Sequence, residues 1–370
     1  MRLRDVQAIL ENWAPKEIAW EHDNIGLQIG SGEKRIRRIL VALDVTDAVI
    51  QEAKKKRADV VISHHPLIFH PMKRVDPEER VGRLVTALIK NDIALYSAHT
   101  NLDFTKHGVS FALGEQLRLQ NMRILHKDHR HLRKIAVFVP HEHVEAVAAA
   151  MTRAGAGAIG DYEGCSYRTE GVGTFTPLEG STPAIGTKGK RETVREIKLE
   201  MILPSWKLSN VVSAMLSAHP YEEVAYDVFA LENISHEIGA GVIGELRRKM
   251  TLKDFLRHVK RSLKTPSLRY SGESTVPVQR VAVCGGSGSS FMKSAIRERA
   301  DAYVTADISY HTFQECDNAL VLVDAGHFET EQPAVRTIVK FLNNAFRQHR
   351  EYVEVFASTS SKNVFQYSIS

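Results

Sequence analysis

The chain has 370 residues, 43% of them hydrophobic and 25% charged, with a formal net charge of +5; this is the composition of a soluble globular protein long enough for two or three domains. No run of about 18 apolar residues offers a transmembrane helix, and Met1-Arg2-Leu3-Arg4-Asp5 lacks the apolar stretch of a secretory signal. The cysteines, Cys165, Cys284 and Cys316, are too few and too scattered for a disulfide framework or a thiolate zinc site, so a reducing, cytoplasmic setting is expected.

The first stretch alternates helices with strands. Leu3, Val6, Ile9 and Leu10 recur at helical spacing and predict a helix over 3–13. Arg38 to Val45 reads as a strand, Thr46 as the cap of a helix running to Arg57, and Asp59 to Ser63 as a second strand. A helix over 78–91, a strand from Ile93 to Ser97 and a helix over 108–117 follow. The last third repeats this grammar. Thr251 caps a helix to about Leu263, and a strand from Val278 to Val283 runs into Cys284-Gly285-Gly286-Ser287-Gly288. A helix over 289–300, strands over 302–305 and 319–323, a long helix to Arg347 and a strand over 352–357 complete it. Such alternation predicts an α/β fold with crossover connections and a largely parallel or mixed sheet.

The middle differs. Lys134 to Pro140 introduces a helix through Ala154, then a Gly-rich segment and Asp161-Tyr162; Ile197 to Pro204 introduces a helix through Ala218, then Val224 to Val228. Each copy reads strand, proline, helix, strand, and two copies make a βαββαβ ferredoxin-like α+β module. Gly164 to Arg191, rich in Gly, Thr, Ser and Pro, is expected to form a long hairpin or a mobile loop. The expected organisation is a discontinuous α/β core with mixed sheets, residues 1–127 plus 233–370, interrupted by an inserted module over 128–232.

Three apolar runs end in imidazoles and carboxylates. Ser63-His64-His65-Pro66, Ala98-His99-Thr100-Asn101-Leu102-Asp103 and Asp324-Ala325-Gly326-His327-Phe328-Glu329-Thr330-Glu331 all fall where loops leave a sheet. Adjacent side chains of a regular strand point to opposite faces, so His64 and His65 converge only if the strand has ended, and Pro66 supports a break there. His327 and Glu331 lie one helical turn apart and share a face, after a glycine that permits a sharp turn. With Asp103 this gives a donor set suited to zinc, iron, manganese or nickel rather than calcium. Five protein groups do not saturate two metals, so water would complete the shells of a two-metal site.

Other signals stay open. Gly285, Gly286, Ser287 and Gly288 join a strand to a helix, where backbone N–H groups can cradle an anion or the glycines can simply serve a tight turn. No catalytic residue is assigned; His99, Asp307 and His311 are candidates for supporting or acid–base roles, with Asp307 and His311 four apart on an expected helix start. Asp23-Asn24 could add polar groups to a cavity or simply form a turn before a buried edge strand, and His219-Pro220-Tyr221-Glu222-Glu223 reads better as a structural turn than as a metal site. Lys54-Lys55-Lys56-Arg57 and Arg247-Arg248-Lys249 are solvated helix ends or an electrostatic footprint for phosphates or nucleic acid.

These segments, with Ala19-Trp20-Glu21-His22-Asp23-Asn24-Ile25-Gly26-Leu27-Gln28-Ile29-Gly30, closely resemble the Nif-three-like family of dinuclear-metal proteins, often labelled GTP cyclohydrolase 1 type 2 homologs. The resemblance runs over nearly the whole chain, including the insert of the longer members, which looks like the ferredoxin-like modules of signalling and copper-tolerance proteins. It implies two divalent metals per chain, zinc first with iron, manganese or nickel as alternatives, held by His64, His65, Asp103, His327 and Glu331. It also implies a homohexameric ring with the metal sites facing an inner cavity. Ala306 stands where many members carry glycine, which could alter that turn. The function implied is a metal-dependent hydrolase on a nucleotide or related heterocycle. The alternatives are a non-catalytic metal-binding regulatory or sensor assembly, and a nucleic-acid-binding ring.

Overall fold

The computed structural model describes residues 1–316 and 319–367. The chain folds as a mixed α/β protein in two compact units, Met1–Lys127 together with the chain from His236 onward, and Asp128–Ser235. The first unit holds two sheets. One has the strand order Gly26–Ile29, Ala94–Ser97, Val60–Ser63, Arg38–Ala42, Glu354–Ala357, and every pair but the first is parallel. The other runs Arg269–Tyr270, Val321–Asp324, Ala302–Thr305, Pro277–Val283, Gly239–Thr251, Gln120–Lys127, parallel at its centre and antiparallel toward both edges.

The parallel strands are unbroken apolar runs because both of their faces are covered. Ile39, Val41, Val60 and Ile62 pack with the helices Leu3–Trp13 and His327–Gln348, while Leu40, Ala42, Val61 and Leu95 pack with Asp47–Lys56 and Arg80–Lys90. The helix Val109–Gln116 buries Val109 in the first of these cores and Phe111 and Leu113 in the core of the second sheet, so it is apolar all round. Thr46 caps Asp47–Lys56 by accepting the Val49 N–H, and Arg57 ends that helix at φ 51°. The Lys54-Lys55-Lys56-Arg57 run is therefore a helix C-terminus, where cations meet the negative end of the helix dipole. Among the described residues no helix is long and apolar enough to cross a membrane.

Several strands were not expected from the sequence, among them Arg269–Tyr270 and two beside the insert. Gln120–Lys127 and Gly239–Thr251 flank the insert in the chain and pair with each other, Gly239 opposite Lys127. The second unit is a four-stranded antiparallel sheet in the order Tyr167–Phe175, Glu192–Pro204, Leu132–Pro140, Tyr226–Ala230, with helices Val144–Arg153 and Leu208–Ala218. This is βαββαβ topology. The Gly-rich stretch after Gly164 supplies a full strand, Tyr167–Phe175, which makes it a hairpin arm.

The segment Ser358–Ser360 is fastened by a buried carboxylate. Glu52, 8% exposed, accepts hydrogen bonds from Ser358 Oγ at 2.7 Å, Thr359 N–H at 3.1 Å and Ser360 N–H at 3.0 Å. Burial works to raise the Glu52 pKa, but these donors outweigh it and hold the carboxyl below its usual value. The stability this contributes is present above the unfolded-state pKa and lost as pH falls through the lowered folded value. Glu52→Gln should therefore reduce hydrogen-exchange protection of the Thr359 and Ser360 amides at neutral pH by about tenfold or more, the weight of a charged hydrogen-bond acceptor. Acidification of the unaltered protein should give the same loss; unchanged protection in the variant would show that the tail is held by other contacts.

Candidate metal centre

The parallel strands of both sheets end at one place, the region where open α/β sheets bind ligands. The strand Val60–Ser63 stops before the paired histidines, and the backbone N–H groups of His64 and His65 donate to Ala42 O (3.1 Å) and Leu43 O (2.9 Å). Ser63 Oγ donates to the His65 carbonyl at 2.8 Å, which turns the chain so that both rings face inward. Asp103 sits in the short helix Thr100–Phe104 that follows Ala94–Ser97. From the other sheet, Val321–Asp324 passes through Gly326, at φ 89°, into a helix that starts at His327.

Every imidazole is held by its Nδ1. His64 Nδ1 pairs with Ala98 O at 2.8 Å, His65 Nδ1 with Asp44 Oδ1 at 2.8 Å, His327 Nδ1 with Asp307 Oδ2 at 2.6 Å and His99 Nδ1 with Asp23 Oδ2 at 2.9 Å. Because each partner is an oxygen acceptor, Nδ1 carries the proton and Nε2 is turned toward the centre. There Glu331 lies between the rings. Its Oε2 is 2.9 Å from His65 Nε2 and 3.1 Å from His327 Nε2, and its Oε1 is 3.7 Å from His64 Nε2, which is also 3.7 Å from Asp103 Oδ1. His65 Nε2 and His327 Nε2 stand 3.3 Å apart. His64 Nε2, Asp103 Oδ1 and Glu331 Oε2 are buried without a hydrogen-bond partner. Lone pairs thus converge on one another, an arrangement a buried site tolerates only with added positive charge.

The titration behaviour says the same. Burial lowers the pKa of fully buried His64 and keeps that ring neutral. For His65 burial also pulls downward, but the Asp44 and Glu331 carboxylates prevail and push it up to about 10. His327 follows the same logic, burial against Glu331 and Asp307, and rises to about 9. Burial and the neighbouring Glu331 raise Asp103 well above the carboxylate range, whereas the three imidazoles outweigh burial at Glu331 and hold it well below. Protons supply the missing positive charge here. The groups His65–His327–Glu331 and His64–His65–His99 each bring their ligand atoms close enough together to hold a metal ion.

Against known proteins, the sequence profile of Duf34/NIF3 (NGG1p interacting factor 3) matches residues 1–364. The chain belongs to the Duf34/NIF3 family. It is 40% identical over 361 residues to the GTP cyclohydrolase 1 type 2 homolog of Bacillus subtilis, covering 97% of this chain and 96% of that one. Its fold is similar to a solved Bacillus cereus protein related to NIF3, with a TM-score of 0.88 and 40% identity over 100% of this chain and 99% of that chain. Staphylococcus aureus protein SA1388 is similar with a TM-score of 0.80 and 30% identity, over 100% of this chain and 99% of that chain.

Within this Duf34/NIF3 chain the structure gathers His64, His65, Asp103, His327 and Glu331, and adds His99 beside them, its ring centroid 5.2 Å from that of His64. Asp307 joins through His327, and Ser287 Oγ donates to the same carboxylate. His311 does not join. Asp307 is left-handed at φ 54° and lies outside the helix Tyr310–Glu315, so the expected shared face does not form, and His311 is exposed against Tyr310. The Gly285–Gly288 loop is also used differently from an anion cradle: the N–H groups of Gly285, Gly286 and Gly288 are engaged by the hydroxyls of Ser110, Thr330 and Thr305. Ala306 is accommodated fully buried, because the left-handed position is its neighbour Asp307. In the insert, His219 donates from Nε2 to Phe138 O at 3.0 Å and accepts the Tyr221 N–H at Nδ1 (3.1 Å), the structural turn expected of it.

Asp44 was missed. It follows the apolar run Ile39–Leu43 with no histidine nearby in sequence, and the available signal was its place at a strand end beside a strand that ends in His64-His65. Asp44→Asn should keep the fold and weaken metal binding about 10–100-fold, the usual consequence of losing a carboxylate behind a ligating imidazole. Chelator competition measures this; undiminished affinity would remove Asp44 from the site.

Proposed function

We propose that this Duf34/NIF3 protein carries a dinuclear metal centre and is a metal-dependent hydrolase acting on a nucleotide or related heterocycle. One observation carries the reading: His64 Nε2, with no proton to donate, faces Glu331 Oε1 and Asp103 Oδ1 at 3.7 Å each. A divalent cation would satisfy all three lone pairs at once. His64, His65, His327, Glu331 and Asp103 would hold it, Glu331 turning Oε2 to His65 and His327 and Oε1 to His64. Imidazoles with carboxylates and no thiolate suit zinc first, then iron, manganese or nickel. Bound there, two such ions supply Lewis-acid polarisation of a substrate oxygen. The chain's own residues orient the centre: Ala98, Asp44 and Asp307 fix three imidazoles, and Asp23 holds His99 so that its Nε2 can accept or return a proton at the rim.

The name GTP cyclohydrolase 1 type 2 homolog, carried by the Bacillus subtilis relative, supports a guanine nucleotide as the first substrate to try. The family resemblance also supports a homohexameric ring in the cytoplasm, which light scattering would reveal as a particle of six chains. A second reading, a metal-binding sensor without turnover, draws on the insert, whose sheet borders a cavity of about 760 Å³. A nucleic-acid-binding ring would declare itself by salt-sensitive binding.

The test is metal analysis of protein purified without chelator or affinity-tag metal, followed by assay on a nucleotide panel that includes GTP. About two metals per chain, with turnover lost on chelation, support the hydrolase. Two metals without turnover favour the sensor, and no metal defeats the centre. Binding should also be proton-linked. With His65 at about 10 and His327 at about 9 before metal enters, uptake at pH 7 must release protons, and affinity should rise with pH toward those values. Calorimetry in buffers of different ionisation enthalpy measures that release, and its absence would mean these imidazoles are not ligands.

A further inference from the structure

The insert's sheet buries Ile135, Val137, Val139, Leu199 and Met201 against its two helices. Side chains alternate along a strand, so Phe138, Glu196 and Lys198 point to the opposite face. There a cavity of about 760 Å³ lies between the sheet, the segment after Phe175 and the Tyr221–Glu223 turn. That is the size of a site for a small organic molecule.

Its walls have a definite chemistry. Phe138, Phe175 and Tyr221 line it, the last two edge to face with centroids 5.9 Å apart. Tyr221 OH donates to Glu196 Oε1 at 3.1 Å, and Glu196 lies flat across the neighbouring strand because Gly173 has no side chain; a Cβ there would meet Glu196 Oε2 at 2.1 Å. Glu222 accepts the Thr182 N–H at 2.7 Å and ties down the covering segment, with Glu223 beside it. The basic lining residue, Lys198, has its Nζ 3.5 Å from Glu200 Oε1 and is already paired. Among the described residues none of Glu196, Glu222 and Glu223 is in an ion pair; aromatic faces beside such carboxylates attract cations, and the same carboxylates repel phosphates and organic acids.

We propose that this cavity binds an organic cation, a protonated or quaternary amine carried on an apolar or aromatic body. Every residue that lines it belongs to the insert.

The experiment is titration calorimetry of the full chain with benzyltrimethylammonium as probe, and benzenesulfonate at the same ionic strength as its anionic counterpart. The cation should bind and the sulfonate should not. Glu196→Gln, which keeps the oxygen that Tyr221 OH bonds, should weaken the cation about tenfold. Gly173→Ala, which intrudes on the Glu196 carboxylate, should weaken it as well. Failure of the unaltered protein to bind the cation, or equal binding of the sulfonate, overturns the proposal. So does cation binding that Glu196→Gln leaves unchanged, whatever Gly173→Ala does.

Discussion

Glu331→Ala should strip metal from the whole centre, whereas His65→Ala should empty about half of it. The difference follows from position. Glu331 turns Oε2 to His65 and His327 and Oε1 to His64, so in the proposed two-metal centre its loss would remove the anion that faces all three rings, whereas loss of His65 would remove a single nitrogen. Metal content measured on freshly purified protein should fall from about two per chain to well under one for Glu331→Ala, and to about one for His65→Ala. The fold should survive both changes. Glu331 lies in the first turns of His327–Gln348, and that helix is anchored farther along by Ala334, Val335, Ile338, Leu342 and Phe346 in the apolar core. An unchanged far-UV spectrum would confirm that the metal was lost through the ligand and not through unfolding. Normal stoichiometry in both variants would defeat the ligand assignment.

Gly286→Ala should be nearly as damaging, although this residue offers no side chain. Gly286 sits at φ 62°, and a Cβ added there would lie 2.1 Å from Glu331 Oε1 and 3.3 Å from His327 Cε1. The methyl group therefore demands both a left-handed alanine, at a cost of roughly 1–2 kcal/mol, and a displaced Glu331. Metal affinity should fall by at least about tenfold to a hundredfold, the range for disturbing the support of a ligand. The melting temperature should drop by about 2–4 °C even after metal is chelated away, since the backbone cost does not depend on metal. Full affinity with an unshifted melting temperature would mean that the loop yields freely and that Glu331 is not held by it.

The cluster that the structure gathers was legible because its residues follow apolar strands: His64-His65, Asp103 and His327 through Glu331 each stand just beyond a run that could only be buried. What the sequence carried poorly has three physical causes. Asp44 belongs to the site through a partner that its own neighbourhood in sequence does not announce, so only the parallel register of Arg38–Ala42 beside Val60–Ser63 brings it to His65. The glycine loop has the composition of an anion cradle, but three hydroxyls from other elements occupy its amides. The strand Gly239–Thr251 is masked in sequence by Gly239, Gly241 and Gly244, and Arg247-Arg248-Lys249, expected as a helix end, lies inside it; pairing on both sides overrides the local preference. Asp307 and His311 show the reverse error, a helical spacing assumed across a residue that is left-handed.

The pairing of Glu354–Ala357 with Arg38–Ala42 has a consequence for how the chain comes into being. The first sheet lacks its edge strand, and Glu52 its Ser358–Ser360 donors, until more than 300 further residues have been synthesised; His327 and Glu331 likewise follow His64 and His65 by more than 260. Contacts this distant in sequence are slow to form, and an unpaired parallel edge is exposed to aggregation while they do. A nascent N-terminal half would present His64 and His65 without the carboxylate that faces them, so the proposed centre could take up metal only after Glu331 has emerged and docked.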